Sequence, residues 1–425
     1  MPTHPAPLRC ANNVMAMVMA GGQGARLMPL TEKRSKPAVP FGSRYRIVDF
    51  VLSNLVNSGI YTIYLLVQYK SQSLIEHIRK AWTLSPLFPD QFVTVVPPQM
   101  LQGHAWFSGT ADAVRQNIDL IEHQHPELVL VLGADHVYRM DLNQMIAFHL
   151  ERDADVTVAA LPVPIEQSSS FGVIAADADG RIRGFEEKPA RGAPMPGDPT
   201  RVYASTGNYV FNAACLVRAL RNAERHGETD FGKHVLPRML DAHCVYAYNF
   251  ADNAIPGLKS YEEPAYGRDV GTIDAYFEAH QDVLGGAPRL DMFNPQWPVF
   301  SSNYQGPVAR VLRGEIDNSL LGAATVIENA RVRNSIVRRE AVIEEGAEID
   351  DCIIMDYARI GRGAKLRRAI IDRHNFIEPG TRIGFDPEAD RRDWTVTPSG
   401  IVVMPRGRIN YFARNSRGYG MGYSE

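Results

Sequence analysis

Cysteine is scarce in this chain. The four cysteines among 425 residues (Cys10, Cys215, Cys244 and Cys352) are widely scattered. That spacing argues against a disulfide framework or a zinc site and points to a reducing, cytoplasmic setting. Long apolar runs are missing as well: no 18-residue stretch could cross a bilayer, and Met1–Asn13 has no signal-peptide core, so neither membrane nor secretion is indicated. An excess of one charge is also lacking. Lys plus Arg number 45 against 48 Asp plus Glu, and a net charge of −3 gives nucleic-acid binding no support. Two nucleotide-binding signatures are absent: no Gly-Lys-Ser/Thr closes a Walker loop, and no G-x-G-x-x-G follows the first apolar run.

What stands there instead is Ala20-Gly21-Gly22-Gln23-Gly24-Ala25-Arg26-Leu27, directly after the apolar run Val14–Met19. The run reads as a buried strand turning into a loop. Glycines leave backbone N–H groups free to line one concavity, where phosphate oxygens bind. Arg26, with Lys33, Arg34 and Lys36 just before Pro37, adds fixed positive charge, so the loop reads as a phosphate cradle rather than a plain turn.

A hydrophobic content of 45% and a charged content of 22% are those of a globular protein, and the length calls for two domains. Strands are expected at Val14–Ala20, Thr62–Val67, Phe92–Val96, Val129–Gly133 and Val156–Pro162. Helices are expected at Arg46–Asn57, Ser71–Trp82, Ala111–His123, Leu142–Arg152 and Ile273–Leu284. The alternation predicts a mostly parallel sheet with helices on both faces, and ligands bind beyond the carboxyl ends of such strands. Around Pro295, Pro298 and Pro307 the pattern lapses into a linker.

The last third repeats every seventeen residues. Leu320, Val337, Ile354 and Ile371 form one apolar column; Val326, Ile343, Ile360 and Ile377 a second; Val332, Ile349, Leu366 and Ile383 a third. Ala330, Ala347, Ala364 and Thr381 keep the same interval, as do Gly346, Gly363 and Gly380. Seventeen is close to three hexapeptides, and one inward apolar residue per face per turn builds a three-sided parallel β-helix. Its flat faces suit packing on another subunit.

Asp135, just beyond a buried strand in Gly133-Ala134-Asp135-His136, suits a divalent ion that bridges phosphates. Asp269 precedes a helix and, taken alone, reads as a carboxylate stabilising the helix dipole. Lys188, fixed before Pro189, could meet a monophosphate but alone reads as a solvated lysine. Thr110 reads as a helix N-cap. His136 reads as a structural histidine.

In this order, these motifs resemble those of the sugar-phosphate nucleotidylyltransferases, most closely their bacterial ADP-glucose-forming members. The resemblance rests on Gly21–Leu27, Lys33–Gly42, Gly109–Ala113, Gly133–Tyr138, Phe185–Pro189, Asp230–Lys233 and Arg268–Thr272, and spans about Met15 to Val403. It implies an α/β fold: a Rossmann-like, mostly parallel nucleotidyltransferase domain over residues 14–290, after an extension over 1–13. A linker over 291–307 and a left-handed parallel β-helix with a tail over 308–425 follow. It implies an enzyme that converts ATP and glucose 1-phosphate to ADP-glucose and pyrophosphate for glycogen synthesis, with Mg²⁺ as cofactor, anionic effectors and a homotetrameric assembly. It further implies that Gly21, Gly22, Gly24, Arg26, Gln99, Gly109 and Thr110 bind nucleotide. Arg26, Lys36 and Asp135 would act in catalysis, and Asp135 and Asp269 would hold the metal. Glu187, Lys188, Ser205, Tyr209 and Asp230 would bind the sugar phosphate; Lys33, Arg34, Arg46, Gln68 and Trp106 would serve effectors. Three positions depart from the family: Thr206 for Met, Phe107 for Tyr, and Gly267 for Trp, the last removing an aromatic wall near the sugar. Another nucleotide or sugar, or a regulatory subunit without turnover, are the competing readings.

Overall fold

The computed structural model describes residues 13–84, 90–99 and 106–407. Cys10, most of the N-terminal extension and the tail beyond residue 407 lie outside the described residues. No described helix is long and apolar enough to cross a membrane.

Nine strands form the main sheet: β1 (Val14–Ala20), β2 (Thr62–Val67), β3 (Phe92–Val96), β4 (Leu128–Gly133), β5 (Val156–Pro164), β6 (Gly172–Ala176), β7 (Ile182–Glu187), β8 (Arg201–Asn212) and β9 (Val245–Asn249). The order along the sheet is β7-β6-β8-β4-β1-β2-β3, with β5 pairing β8 and β9. Strands β3, β2, β1 and β4 run parallel, then β8 enters antiparallel and turns the sheet into a mixed one. Successive side chains of a strand point to opposite faces. Ala16, Val18 and Ala20 therefore pack with helices α1 (Val48–Asn57), α2 (Gln72–Ala81) and α5 (Leu142–Glu151), while Met15 and Met17 pack with α3 (Thr110–Arg115), α4 (Ile118–Gln124) and α6 (Ala213–Arg225). A final helix of this half, α7, spans Ile273–Gln281.

The single helix expected at Ala111–His123 is two. Asn117 takes a non-helical conformation at the junction, and its buried amide donates to Ala113 O at 2.8 Å. Asn competes for backbone partners in this way, which is why it disfavours helix interiors.

The C-terminal third is a parallel β-helix of three strand stacks. One runs through Ile327, Ile343, Ile360 and Ile377, a second through Val332, Ile349, Leu366 and Ile383, and a third through Val337, Ile354, Ile371 and Met404. Gly346, Gly363 and Gly380 stand at its corners with φ of 73°, 64° and 72°. The seventeen-residue interval fails in the first coil, which is one residue short. Leu321, not Leu320, pairs with Val337, and Ile327, not Val326, pairs with Ile343. Leu320 turns instead toward the N-terminal half.

That half is also where one face of the solenoid goes. Ile336, Ile353, Ile370 and Val403, each pointing opposite to an inward neighbour, share one apolar cluster with Leu27, Phe41, Ile47, Phe50, Tyr276 and Phe277. The face therefore packs within the chain. The segment expected as a linker lies along α1: Trp297 Nε1 donates to Asn54 Oδ1 at 3.2 Å, and the Phe300 N–H to Ser53 Oγ at 2.8 Å.

Candidate active site

The carboxyl ends of β1, β2 and β4 open into a cleft of about 530 Å³. Its lining includes Gly21, Gly22, Gly24, Arg26, Lys36, Gln68, Gly109, Thr110, Asp135 and Asp230. A volume of this order suits a small-molecule ligand.

The glycine loop leaves β1 and closes into a short turn at Ala25–Leu27. Gly24 takes the left-handed conformation at φ 62°, and a Cβ there would lie 3.0 Å from Thr31 Cγ2 and 3.1 Å from Lys36 Cβ. Both conformation and space thus require glycine. Thr31 Oγ1 donates to Gly24 O at 2.8 Å and ties the loop to the segment that carries Lys36.

Lys36 is the organising charge. Its side chain is buried, and Nζ donates to Asp135 Oδ2 at 3.2 Å and to Asp269 Oδ1 at 2.7 Å. Arg26 approaches Asp269 from the solvent side, NH2 to Oδ2 at 3.8 Å. His136 Nδ1 lies 3.0 Å from Asp135 Oδ1, and its Nε2 lies 4.0 Å from Asp269. Burial by itself would raise the Asp135 carboxyl, but His136 and Lys36 reverse that and hold it well below the usual carboxylate range. Burial works against charge on His136 too, yet Asp135 and Asp269 raise its pKa above the ordinary value.

Asp269 is not a helix-terminal carboxylate. Helix α7 starts at Ile273 and is capped by Thr272, whose Oγ1 accepts from the Ala275 N–H at 3.2 Å. Asp269 precedes the cap by three residues and meets Lys36. A Cβ at Gly271 would lie 3.0 Å from both Asp269 oxygens and 3.1 Å from Arg26 NH2. Asp135, His136 and Asp269 present ligand atoms within 4.8 Å of one another. Two carboxylates facing one cation supply the hard oxygen donors that a divalent ion takes. His136 and Gly271, passed over in the sequence, thus belong to this constellation; their adjacency to Asp135 and Asp269 was the available signal.

Thr110 is the first helical residue rather than the cap, which is Gly109. Its hydroxyl reaches across to Asp230 Oδ2 at 3.2 Å and accepts from the Phe231 N–H at 3.1 Å. Asp230 also accepts from the Lys233 N–H at 3.0 Å. Tyr209 is buried beside Ser205, and burial together with the Asp230 and Glu187 carboxylates raises its pKa. These four residues therefore gather on the β7–β8 flank of the cleft. Lys188 stands there with its side chain 60% exposed, Nζ 3.7 Å from Glu187 Oε1. Thr206 lies where β8 breaks register, and its hydroxyl donates to Ala159 O at 3.1 Å. A Cβ at Gly267 would meet Phe250 at 3.6 Å and Tyr138 at 3.8 Å, ordinary contacts.

Gln99 is placed elsewhere. It lines a separate cleft with Arg115, Asp119 and Glu224, and its amide donates to Pro97 O at 2.7 Å. Gln68 grips the loop over the cleft, its amide donating to Phe107 O at 3.3 Å and its Oε1 accepting the Phe107 N–H at 2.5 Å; Trp106 beside it is exposed.

Neither Arg34 nor Arg46 lines the cleft. Arg34 is ion-paired to Asp372 of the solenoid, while its buried NH1 has no hydrogen-bond partner among the described residues. Arg338, Arg339 and Arg373 surround Asp356 at 3.2, 3.4 and 3.3 Å. Arg46 is pushed down to about 9, first by burial and then by the charge of Arg373. Lys33 is exposed nearby in sequence.

A nucleotidyl transferase family model matches residues 15–285, and a GlmU-like C-terminal hexapeptide model matches residues 308–404. Curated relatives named glucose-1-phosphate adenylyltransferase include one from Thermodesulfovibrio yellowstonii, 56% identical over 92% of this chain and 96% of its own. Another, from an Anaeromyxobacter species, is 45% identical over 92% and 98%; a third, from Corynebacterium jeikeium, is 44% identical over 95% and 100%. With match and site geometry together, the chain belongs to the nucleotidyl transferase family, in the branch that these adenylyltransferase relatives form.

Proposed function

We propose that this protein is a glucose-1-phosphate adenylyltransferase: it transfers the adenylyl group of ATP to glucose 1-phosphate, giving ADP-glucose and pyrophosphate for glycogen synthesis. The observation that carries this is the convergence of Lys36, Asp135 and Asp269 beside the glycine loop, in a chain with full-length adenylyltransferase relatives. Family members work with a divalent metal, and we take it to be Mg²⁺, held by Asp135 and Asp269. When bound it neutralises phosphate charge.

The attacking oxygen belongs to the phosphate of the sugar. With a second pKa of about 6 that phosphate is already ionised near neutrality, so no general base is required. Catalysis then rests on alignment and charge. Gly21, Gly22, Gly24, Gly109 and Thr110 position the nucleotide, and Arg26 and Lys36 stabilise the departing pyrophosphate. Glu187, Lys188, Ser205, Tyr209 and Asp230 orient the sugar phosphate toward the α-phosphorus. Gln99 lines a different cleft from the rest of the nucleotide set.

Regulation by anions is part of the reading. The crowded guanidinium groups of Arg34, Arg46 and Arg373, with Lys33 at the rim, favour a multiply charged anion between the two halves, and Gln68 and Trp106 relay its presence to the cleft. The catalytic unit is read as residues 14–290, the connector as 291–307 and the solenoid from 308, in a cytoplasmic homotetramer. Pyrophosphate release measured with ATP, UTP, GTP and dTTP, with and without glycolytic sugar phosphates, tests this. Turnover with ATP, raised by one of the sugar phosphates, is expected. Preference for another nucleotide overturns the substrate, and no release from any nucleotide makes the chain a regulatory subunit.

A further inference from the structure

Sequence spacing gave the cysteines no metal partner, yet the fold supplies one. Asp155 immediately precedes β5, Cys215 lies in α6, and His243 sits in the turn before β9. Their donor atoms lie within 4.8 Å of one another. His243 Nδ1 is 3.3 Å from Asp155 Oδ2 and 3.6 Å from Cys215 Sγ.

Those distances match a specific object. Zinc bonds of about 2.3 Å to sulfur and about 2.0–2.2 Å to nitrogen and oxygen, opened at the tetrahedral angle, set an N···O edge of ~3.4 Å and an S···N edge of ~3.6 Å. We propose that Asp155, Cys215 and His243 form a second metal site, for Zn²⁺ or a divalent ion of similar softness, with water in the fourth position. Thiolate, imidazole and carboxylate together suit zinc and its neighbours rather than magnesium.

Three further observations support the site. First, the alternative of a Cys–His–Asp relay is excluded, because a relay needs thiol and carboxylate on opposite ring nitrogens, whereas both here address Nδ1. Second, the carboxylate is fixed by the backbone: Asp155 Oδ2 also accepts the Cys244 N–H at 2.9 Å, and outer contacts of this kind orient metal ligands. Cys244 itself is turned to Arg181, whose NH1 donates to its Sγ at 3.2 Å. Third, solvent has access: the side chains of Asp155 and His243 are 30% and 28% exposed. The site lies at the amino end of β5, which runs parallel to β4, so it occupies the edge of the sheet opposite the catalytic cleft.

Cobalt titration of the chelator-stripped full chain tests the proposal. Oxygen ligands at Asp135 and Asp269 give no thiolate-to-cobalt charge-transfer absorption, so the band reports cysteine ligation, and the substitutions below assign it to this site. One equivalent of Co²⁺ is expected to saturate it, Zn²⁺ to bleach it, and Asp135→Asn to leave it unchanged. Cys215→Ser should abolish the band. His243→Ala, at a partly exposed position that leaves the core intact, should weaken cobalt affinity by at least ~100-fold, beyond what loss of an outer contact costs. No band in the unsubstituted chain, or a band that survives both substitutions, overturns the assignment.

Discussion

At the scale of single residues, Lys36 carries the heaviest electrostatic duty. Replacing it with Ala takes the buried cation from between Asp135 and Asp269, leaving His136 and Arg26 as their cationic neighbours. The expected loss in kcat/KM is on the order of 10²–10³, about 3–4 kcal/mol, read from steady-state pyrophosphate release. Gly267 makes a different prediction. Because a Cβ fits there without displacement, Gly267→Trp should fold normally and lower the KM for glucose 1-phosphate with kcat little changed; an unchanged KM refutes the aromatic-wall idea. Residues such as Gly24 and Asp135 were legible because the sequence places them at a strand end. Asp269 was not: its immediate surroundings suggest a helix dipole, and only tertiary contact with Lys36 separates the two roles. Gln99 came only by likeness, from outside the quoted motifs, and likeness carries no information on which cleft a side chain lines.

At the scale of elements, hydrophobic period decided most of the fold. Val14–Ala20, Thr62–Val67 and Phe92–Val96 are strands at the expected bounds, since buried parallel strands are short apolar runs. Local competition defeated the pattern where it failed: Asn117 interrupts a helix that its apolar neighbours would continue. In the solenoid the short first coil shifts Leu320 out of its column, something a fixed interval cannot express. The outward row follows from the same alternation that builds the inward one. Ile353 is fully buried in that row, so Ile353→Ala should cost about 2–5 kcal/mol in denaturant unfolding, as buried truncations do.

At the scale of the whole molecule, the two halves share a core. A fragment ending at residue 307 would strip Leu27, Phe41, Ile47 and Phe277 of their solenoid neighbours, and exposed patches of this kind drive aggregation. Such a fragment should be insoluble or melt well below the full chain in calorimetry. Polar contacts across the same boundary are buried too: Arg338 NH1 donates to Phe41 O, Gly42 O and Tyr45 O at 3.0, 2.6 and 3.1 Å. Burial would raise the carboxyl of Asp356, but Arg338, Arg373 and Arg339 hold it far below its unfolded value. Its contribution is therefore complete above the unfolded carboxylate pKa of about 3.9 and fades as the solution is acidified below that. Asp356→Asn should cost about 3–5 kcal/mol at neutral pH and flatten the acid limb of a stability profile.

One stretch of chain, Arg34-Ser35-Lys36, touches both ends of this arrangement. Arg34 grips Asp372 of the solenoid while Lys36 grips the acidic pair of the cleft, and a single serine separates them. Only two peptide links separate the anchored residues, a span of about 7 Å at most. Solenoid and cleft therefore cannot draw apart at this point without releasing one of the two grips.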